Sequence, residues 1–201
     1  MPHEKVTIVY KFSELSDKAK EYARDKWREG HLDYDWWEFV YEDAVECARI
    51  LGIEIGTKDV PLMNGKTRQK PCIWFRGFSS QGDGACFEGS YRYAKGCTKA
   101  IKQHAPKDAE LHRIASELTA IQKPFLYRLE AKSKHTGHYY HSHSTTIEVW
   151  HREDQYRDIG DAEEGLKECL RDFMDWIYER LESEHDYLMS DESIDESIQC
   201  N

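Results

Sequence analysis

The chain has 201 residues, of which 33% are charged and 12% aromatic, and a formal net charge of -10. The many aromatic residues exclude a generally disordered chain, because disordered sequences contain few of them. No apolar run approaches the roughly 20 residues of a membrane helix, and the charged N-terminus lacks the pattern of a signal peptide. We therefore expect a cytoplasmic protein with no membrane partner, whose charge opposes bulk binding to nucleic acid.

Acidic residues concentrate at the C-terminal end. Residues 182–201 contain seven Asp and Glu and no Lys or Arg, which leaves 28 basic and 31 acidic residues in 1–181. The length fits one domain, so we predict a single α+β domain over 1–181 and an acidic tail over 182–201. Because the predicted domain is nearly neutral, a local basic patch on it could still meet a phosphate.

Hydrophobic periodicity predicts alternating groups of helices and strands. Helices are predicted over 15–27, 36–51, 97–101, 111–121 and 166–181. Strands are predicted over 6–12, 53–55, 72–78, 85–93, 125–134 and 138–150, and 57–70 is predicted as a mobile polar loop. This order indicates an α+β fold with an antiparallel sheet of about five or six strands, covered by helices and ending in a long C-terminal helix.

The six cysteines show no CxxC spacing, so neither a zinc ribbon nor a thioredoxin-like motif is indicated. Cys47 and Cys169 fall on the apolar stripes of predicted helices. We expect reduced thiols that serve as small core residues.

The second predicted hairpin, 125–150, carries four histidines near its turn. A three-residue loop at 135–137 would pair Ala131 with His141 and Leu129 with His143, placing both apolar faces on one side. His141 and His143 would then be about 7 Å apart on one strand face, next to Tyr140. Such a pair can act as acid and base, bind phosphate or hold a metal, and plain packing is the alternative. No HExxH motif or cysteine pair completes a zinc site, so we assign no metal and no cofactor.

The first predicted hairpin, 72–93, contains a glycine-rich loop that could bring backbone N–H groups close to a partner or a phosphate. It lacks the lysine of a phosphate-binding P-loop and does not open a helix. An ordinary long hairpin loop is the alternative. The candidate ligand-binding residues are Arg76, Ser79, Ser80, Gln81, Gly82, Asp83, Gly84 and Glu88.

Two adjacent tryptophans, Trp36 and Trp37, open the second predicted helix. Because neighbouring helical residues point about 100° apart, both indoles cannot face the core. One of them is a candidate for stacking on a ring or base, and packing under a neighbouring loop is the alternative.

Four segments resemble a family of small phage-encoded proteins that are loosely labelled as the antitoxin of a toxin–antitoxin stability system. They are FSELSDKAKEYARDKW, the Trp36-Trp37 helix, FRGFSSQGDGACFEGSYRY and GHYYHSHSTTIEV, which together cover most of residues 12–150. The resemblance implies an accessory role in conflict between phage and host and supplies no catalytic residues.

Two functions of different classes follow. The first is a phage-encoded binding protein of the host cytoplasm that counteracts a host toxin or defence system, its partner being a host protein or a small nucleotide signal. The second is a phosphodiester or nucleotide hydrolase, with or without a metal, that uses His141 and His143 as acid and base or as metal ligands. A third, a DNA mimic, would rest on charge alone.

Overall fold

The computed structural model describes residues 8–30, 32–63 and 65–200. The helices are α1 (Asp17–Arg28), α2 (Glu38–Leu51), α3 (Cys97–His104), α4 (Ala109–Gln122), α5 (Ala162–Leu188) and α6 (Asp191–Cys200). The strands are β1 (Ile53–Ile55), β2 (Thr57–Pro61), β3 (Thr67–Pro71), β4 (Ile73–Arg76), β5 (Gly84–Phe87), β6 (Gly89–Arg92), β7 (Leu129–His135) and β8 (Thr145–His151). Short 3-10 helices cover Phe12–Glu14, Lys123–Phe125 and Ser142–Ser144. Across these residues, no helix has the length and apolar character needed to span a membrane.

The chain divides into two compact units. The larger unit comprises Glu38–Leu181, and the smaller unit combines Met1–Trp37 with Glu182–Asn201. The larger unit contains an antiparallel sheet in the order β1-β6-β7-β8 and two hairpins, β2-β3 and β4-β5. The predicted α+β class is thus confirmed, and the main sheet has four strands among the described residues.

The core of the larger unit is formed by apolar faces of α2, α4, α5 and the main sheet. Its fully buried side chains include Leu51, Ile53, Phe87, Tyr91, Leu118, Leu129, Leu166 and Phe173. One buried polar residue, Gln122 at the end of α4, bonds both backbone groups of Leu129. Its amide nitrogen donates to the Leu129 carbonyl at 2.8 Å, and its amide oxygen accepts from the Leu129 N–H at 3.1 Å. Gln122 therefore fixes the start of β7 against the helix layer.

In the smaller unit, α6 is held to α1 by ion pairs. Arg24 on α1 donates to both carboxylate oxygens of Asp195 at 2.7 Å and lies 3.0 Å from Asp191. Ser16 caps α1 by accepting the Ala19 N–H at 3.4 Å. The acidic segment from Glu182 onward is helical over the end of α5 and over α6, and two of its carboxylates, Asp191 and Asp195, pair with arginines of α1.

Two local predictions were wrong. Residues 57–70 contribute to a hairpin instead of a mobile loop, because β2 and β3 pair over five positions around a turn closed by the Leu62 N–H to the Lys66 carbonyl at 2.7 Å. Residues 8–12 form no strand; Phe12 begins a 3-10 helix and is buried. The rest of that predicted strand lies outside the described residues.

The pairing of β7 with β8 corrects the predicted hairpin register. Leu129 pairs with His151 and Ala131 with Val149, eight positions from the predicted partners. Because eight is even, the two apolar sets still share a face, as predicted. His141 and His143 are nevertheless not on a strand: the strands are joined by residues 136–144, which end in the 3-10 helix Ser142–Ser144.

Candidate functional site

Two loops singled out in the sequence pack against each other in the larger unit. The first, 77–83, joins β4 to β5, and the second, 136–144, joins β7 to β8. At the end of the first loop, a Cβ added to Gly84 would lie 2.9 Å from Cδ2 of His141 and 3.1 Å from its Cα. A Cβ on Gly82 would lie 3.6 Å from the ring of Tyr139. We call residues 76–84 and 135–144 the two-loop surface; the tertiary structure brings the two predicted motifs together there.

Two backbone N–H groups of the glycine-rich loop are bonded to the carboxylate of a residue in the same loop, Asp83. Oδ2 of Asp83 accepts the backbone N–H of Ser79 at 2.9 Å and that of Ser80 at 2.7 Å. These bonds, helped by nearby Arg76, lower the pKa of Asp83. Gly77 permits the arrangement, since its φ is 55° and a Cβ would lie 2.5 Å from the Asp83 carboxylate. The N–H groups expected to cradle a phosphate therefore already bind an anion of the protein.

Arg76 and Tyr139 present an exposed pair on this surface. The guanidinium carbon of Arg76 lies 5.9 Å from the centroid of the Tyr139 ring, a cation–π distance. Tyr139 is 53% exposed, and Arg76 is also exposed. Within the described residues, no carboxylate lies at ion-pair distance from Arg76. The predicted residues Ser79, Ser80 and Gln81, on the same loop, are also exposed.

A cluster of aromatic side chains holds the second loop, 136–144, in place. Trp74 stacks on Tyr140 with ring centroids 6.2 Å apart, and His135 lies 5.1 Å from the Tyr140 ring. The Lys58 ammonium lies over the Trp74 ring at 4.8 Å. Oε1 of Glu88 accepts the His135 N–H at 3.2 Å, so Glu88 holds the start of the loop. Tyr140 and Glu88 thus hold the second loop in position.

The two histidines of the HxH motif form a stacked pair. Their ring centroids are 5.5 Å apart with an angle of 23° between the planes. Nδ1 of His141 accepts the His143 N–H at 3.1 Å, which assigns the proton of a neutral His141 ring to Nε2. His143 is exposed and His141 is half-buried. The predicted placement on one strand face was therefore wrong: a tight turn, and not strand periodicity, brings the two imidazoles together.

One residue near this pair, Asp175 on α5, was not predicted. Partial desolvation raises the pKa of its carboxyl group, whereas a hydrogen bond donated by the Ser142 hydroxyl and the charges of His141 and His143 act in the opposite direction. Ser142 is fully buried. The sequence shows an acid next to core positions of a helix, but only the tertiary structure brings it within electrostatic reach of the histidines.

Trp36 and Trp37 belong to the smaller unit. Their rings meet edge to face at 5.7 Å, and Trp36 also lies 5.9 Å from the His185 ring. Trp36 is 6% exposed, and Trp37 is partly exposed. Of the two indoles, Trp37 is therefore the one that could contact a ligand.

Residues 36–191 match a family described as a domain of unknown function, DUF8835. The chain belongs to the DUF8835 family. The matched residues contain both loops and Asp175, so the whole two-loop surface lies inside the family's domain. No curated protein and no solved structure matches the chain.

Proposed function

We propose that this DUF8835 protein acts by binding a protein partner through the two-loop surface. Its role would be that of a phage-encoded accessory protein of the host cytoplasm that counteracts a host toxin or defence protein. The role is supported by the resemblance of four sequence segments to antitoxin-labelled phage proteins. The binding mode is supported by one observation, the exposed pair of Tyr139 and Arg76 on two packed loops.

The residue types of the surface favour protein recognition. Tyrosine and arginine are enriched among the residues that dominate interface energies. Serine and glycine loops that surround tyrosines are typical of adaptable binding surfaces. Here the loops are also held in place, by Glu88 bonding the His135 N–H and by the tight contact of Gly84 with His141. A loop that is already ordered loses less conformational entropy on binding.

The filled glycine-rich loop favours a protein over a nucleotide as the partner. A phosphate in this loop would have to displace the Asp83 carboxylate from the N–H groups of Ser79 and Ser80. An undisplaced Asp83 would instead repel the phosphate. The negative charge of Asp83 therefore opposes binding of a nucleotide signal in this loop.

A second candidate function rests on Asp175. A carboxylate that interacts electrostatically with two imidazoles, one of them exposed, resembles the groups that general acid–base hydrolysis requires. In that case His143 would transfer protons, and the negative charge of Asp175 would stabilise the protonated form of His143. The substrate would be a phosphodiester or nucleotide.

Affinity purification from infected cells with mass spectrometry tests the binding proposal. We expect one host protein to be captured by the wild type and by the control variant Tyr156→Ala, since Tyr156 is an exposed tyrosine outside the surface. Tyr139→Ala should weaken the interaction by ~30-fold, the effect of losing a central interface tyrosine. Equal capture by Tyr139→Ala and the wild type would contradict the proposal.

The hydrolase alternative has its own assay. Purified protein is incubated with nucleoside triphosphates and an aryl phosphodiester, and the products are quantified. Turnover that is lost in His143→Ala and Asp175→Asn, and kept in the exposed control His138→Ala, would replace the binding proposal by the hydrolase. Absence of turnover in the wild type removes the alternative.

A further inference from the structure

Three side chains with metal-binding atoms meet between α2 and α3, outside the two-loop surface. Asp43 and Cys47 are four residues apart on α2 and therefore share a face of the helix. His104 is the last residue of α3. One ligand atom from each residue lies within 4.8 Å of the other two, and Nε2 of His104 is 3.4 Å from Oδ1 of Asp43. Ligands of a tetrahedral ion lie about 3.4–3.8 Å apart, so small side-chain rotations suffice to bind one cation.

The types of ligand atom in this cluster indicate which metal ion it would bind. A thiolate, an imidazole and a carboxylate are the three ligand types of protein-bound zinc. Calcium and magnesium prefer oxygen ligands alone, so Cys47 and His104 argue against both. The mixture therefore fits Zn²⁺, with Co²⁺ as its spectroscopic substitute.

The exposure of the three residues provides an entry path. The side chains of Asp43 and His104 are 56% and 34% exposed, whereas Cys47 is 1% exposed. A cation from solvent would meet the carboxylate and the imidazole first and the thiol at the inner end. We infer that Asp43, Cys47 and His104 form a Zn²⁺ site that clamps α2 to α3. A water molecule completes the coordination.

Binding at this site is balanced by the release of one proton. The S–H bond of Cys47 breaks, its proton passes to the buffer, and the thiolate forms a bond to Zn²⁺. His104 binds as a neutral ring through Nε2. The cation remains divalent, and no oxidant or reductant takes part.

A competing explanation is a surface contact between His104 and Asp43 above an inert core thiol. Co²⁺ distinguishes the two, because only a cobalt–thiolate bond produces a thiolate-to-metal charge-transfer band. The experiment uses the full chain, freed of any affinity tag, with Cys200→Ser to remove the one exposed cysteine. Co²⁺ is titrated by absorbance, and Zn²⁺ is then added to displace it.

We expect one equivalent of Co²⁺, a charge-transfer band, and displacement by Zn²⁺. Cys47→Ala should abolish the band, and His104→Gln should weaken Zn²⁺ binding by more than the roughly 10–100-fold that loss of an outer-shell partner costs, because it removes a direct ligand. Cys97→Ala is the matched control, since Cys97 is also a buried helical cysteine and lies outside the triad. It should keep the band at full intensity.

Thermal unfolding adds a second readout for variants that fold less well. Zn²⁺ at 100 times its dissociation constant should raise the Tm of the Cys97→Ala protein by about 5–11 °C. It should leave the Tm of Cys47→Ala unchanged. The proposal is overturned by the absence of a band in the parent protein, or by a band that persists in Cys47→Ala.

Discussion

Gly84 makes the tighter of the two glycine contacts between the loops, so replacing it with alanine tests the two-loop surface directly. The added methyl would lie 2.9 Å from the His141 ring and 3.1 Å from both the His141 Cα and the Tyr140 carbonyl oxygen. These contacts are shorter than the ordinary range that starts at 3.4 Å, and two of the three atoms are backbone. Overpacking of this kind costs about 1–3 kcal/mol. Because backbone cannot rotate away, we expect Gly84→Ala to fall in the upper half of that range.

Urea unfolding followed by tryptophan fluorescence measures this cost. Gly30→Ala is the control, since a Cβ at Gly30 meets no atom within 4 Å. NMR of the histidine rings reports the site itself: the signals of His141 and His143 should shift in Gly84→Ala and remain unchanged in the control. If Gly84→Ala unfolds at the same urea concentration as the wild type, with unshifted histidine signals, the loops are not in contact and the surface is wrong.

Two further predictions concern other parts of the fold. Gln122→Leu should lower the free energy of unfolding by about 2–5 kcal/mol, because it leaves both backbone groups of Leu129 buried without partners. Denaturation in urea compares the free energy of unfolding of Gln122→Leu with that of the exposed control Gln81→Leu. Equal losses of stability in the two variants would refute the prediction. In the smaller unit, the hydrogen bonds from Arg24 lower the pKa of Asp195 from its ordinary 3.8. This stabilisation is complete above about pH 4 and is lost as the pH falls through the lower folded pKa. Hydrogen exchange should therefore show α6 losing protection in acid, and Asp195→Asn should weaken that pH dependence; an equal dependence in both proteins would contradict it.

Helical periodicity alone located the main helices. The apolar positions of α5, which include Leu166, Leu170, Phe173, Ile177 and Leu181, are all buried as predicted. The alternation in β7 and β8 likewise predicted which side chains share a face. That prediction is confirmed, because the register differs from the predicted one by an even number of residues. Both patterns are local, since they depend only on the rise and rotation per residue.

The residue types of the site were also evident in the sequence, but their arrangement was not. His141 and His143 were predicted on a strand because alternation continued through 138–150. The Ser144 side chain instead accepts the His141 N–H at 3.1 Å and closes a turn that competes with the strand. Asp83 was grouped with the anion-binding residues, although its carboxylate occupies the position of the anion.

The net charge of -10 and its concentration after residue 181 were fixed by the sequence alone. So were the α+β class and the residues that can bind, stack or ionise. The tertiary structure decided which of those residues meet: Gly84 with His141, Ser142 with Asp175, and Cys47 with His104. These partners are far apart in the chain, and local periodicity contains no information about which distant faces pack together. That choice follows from the burial of apolar surface across the whole unit.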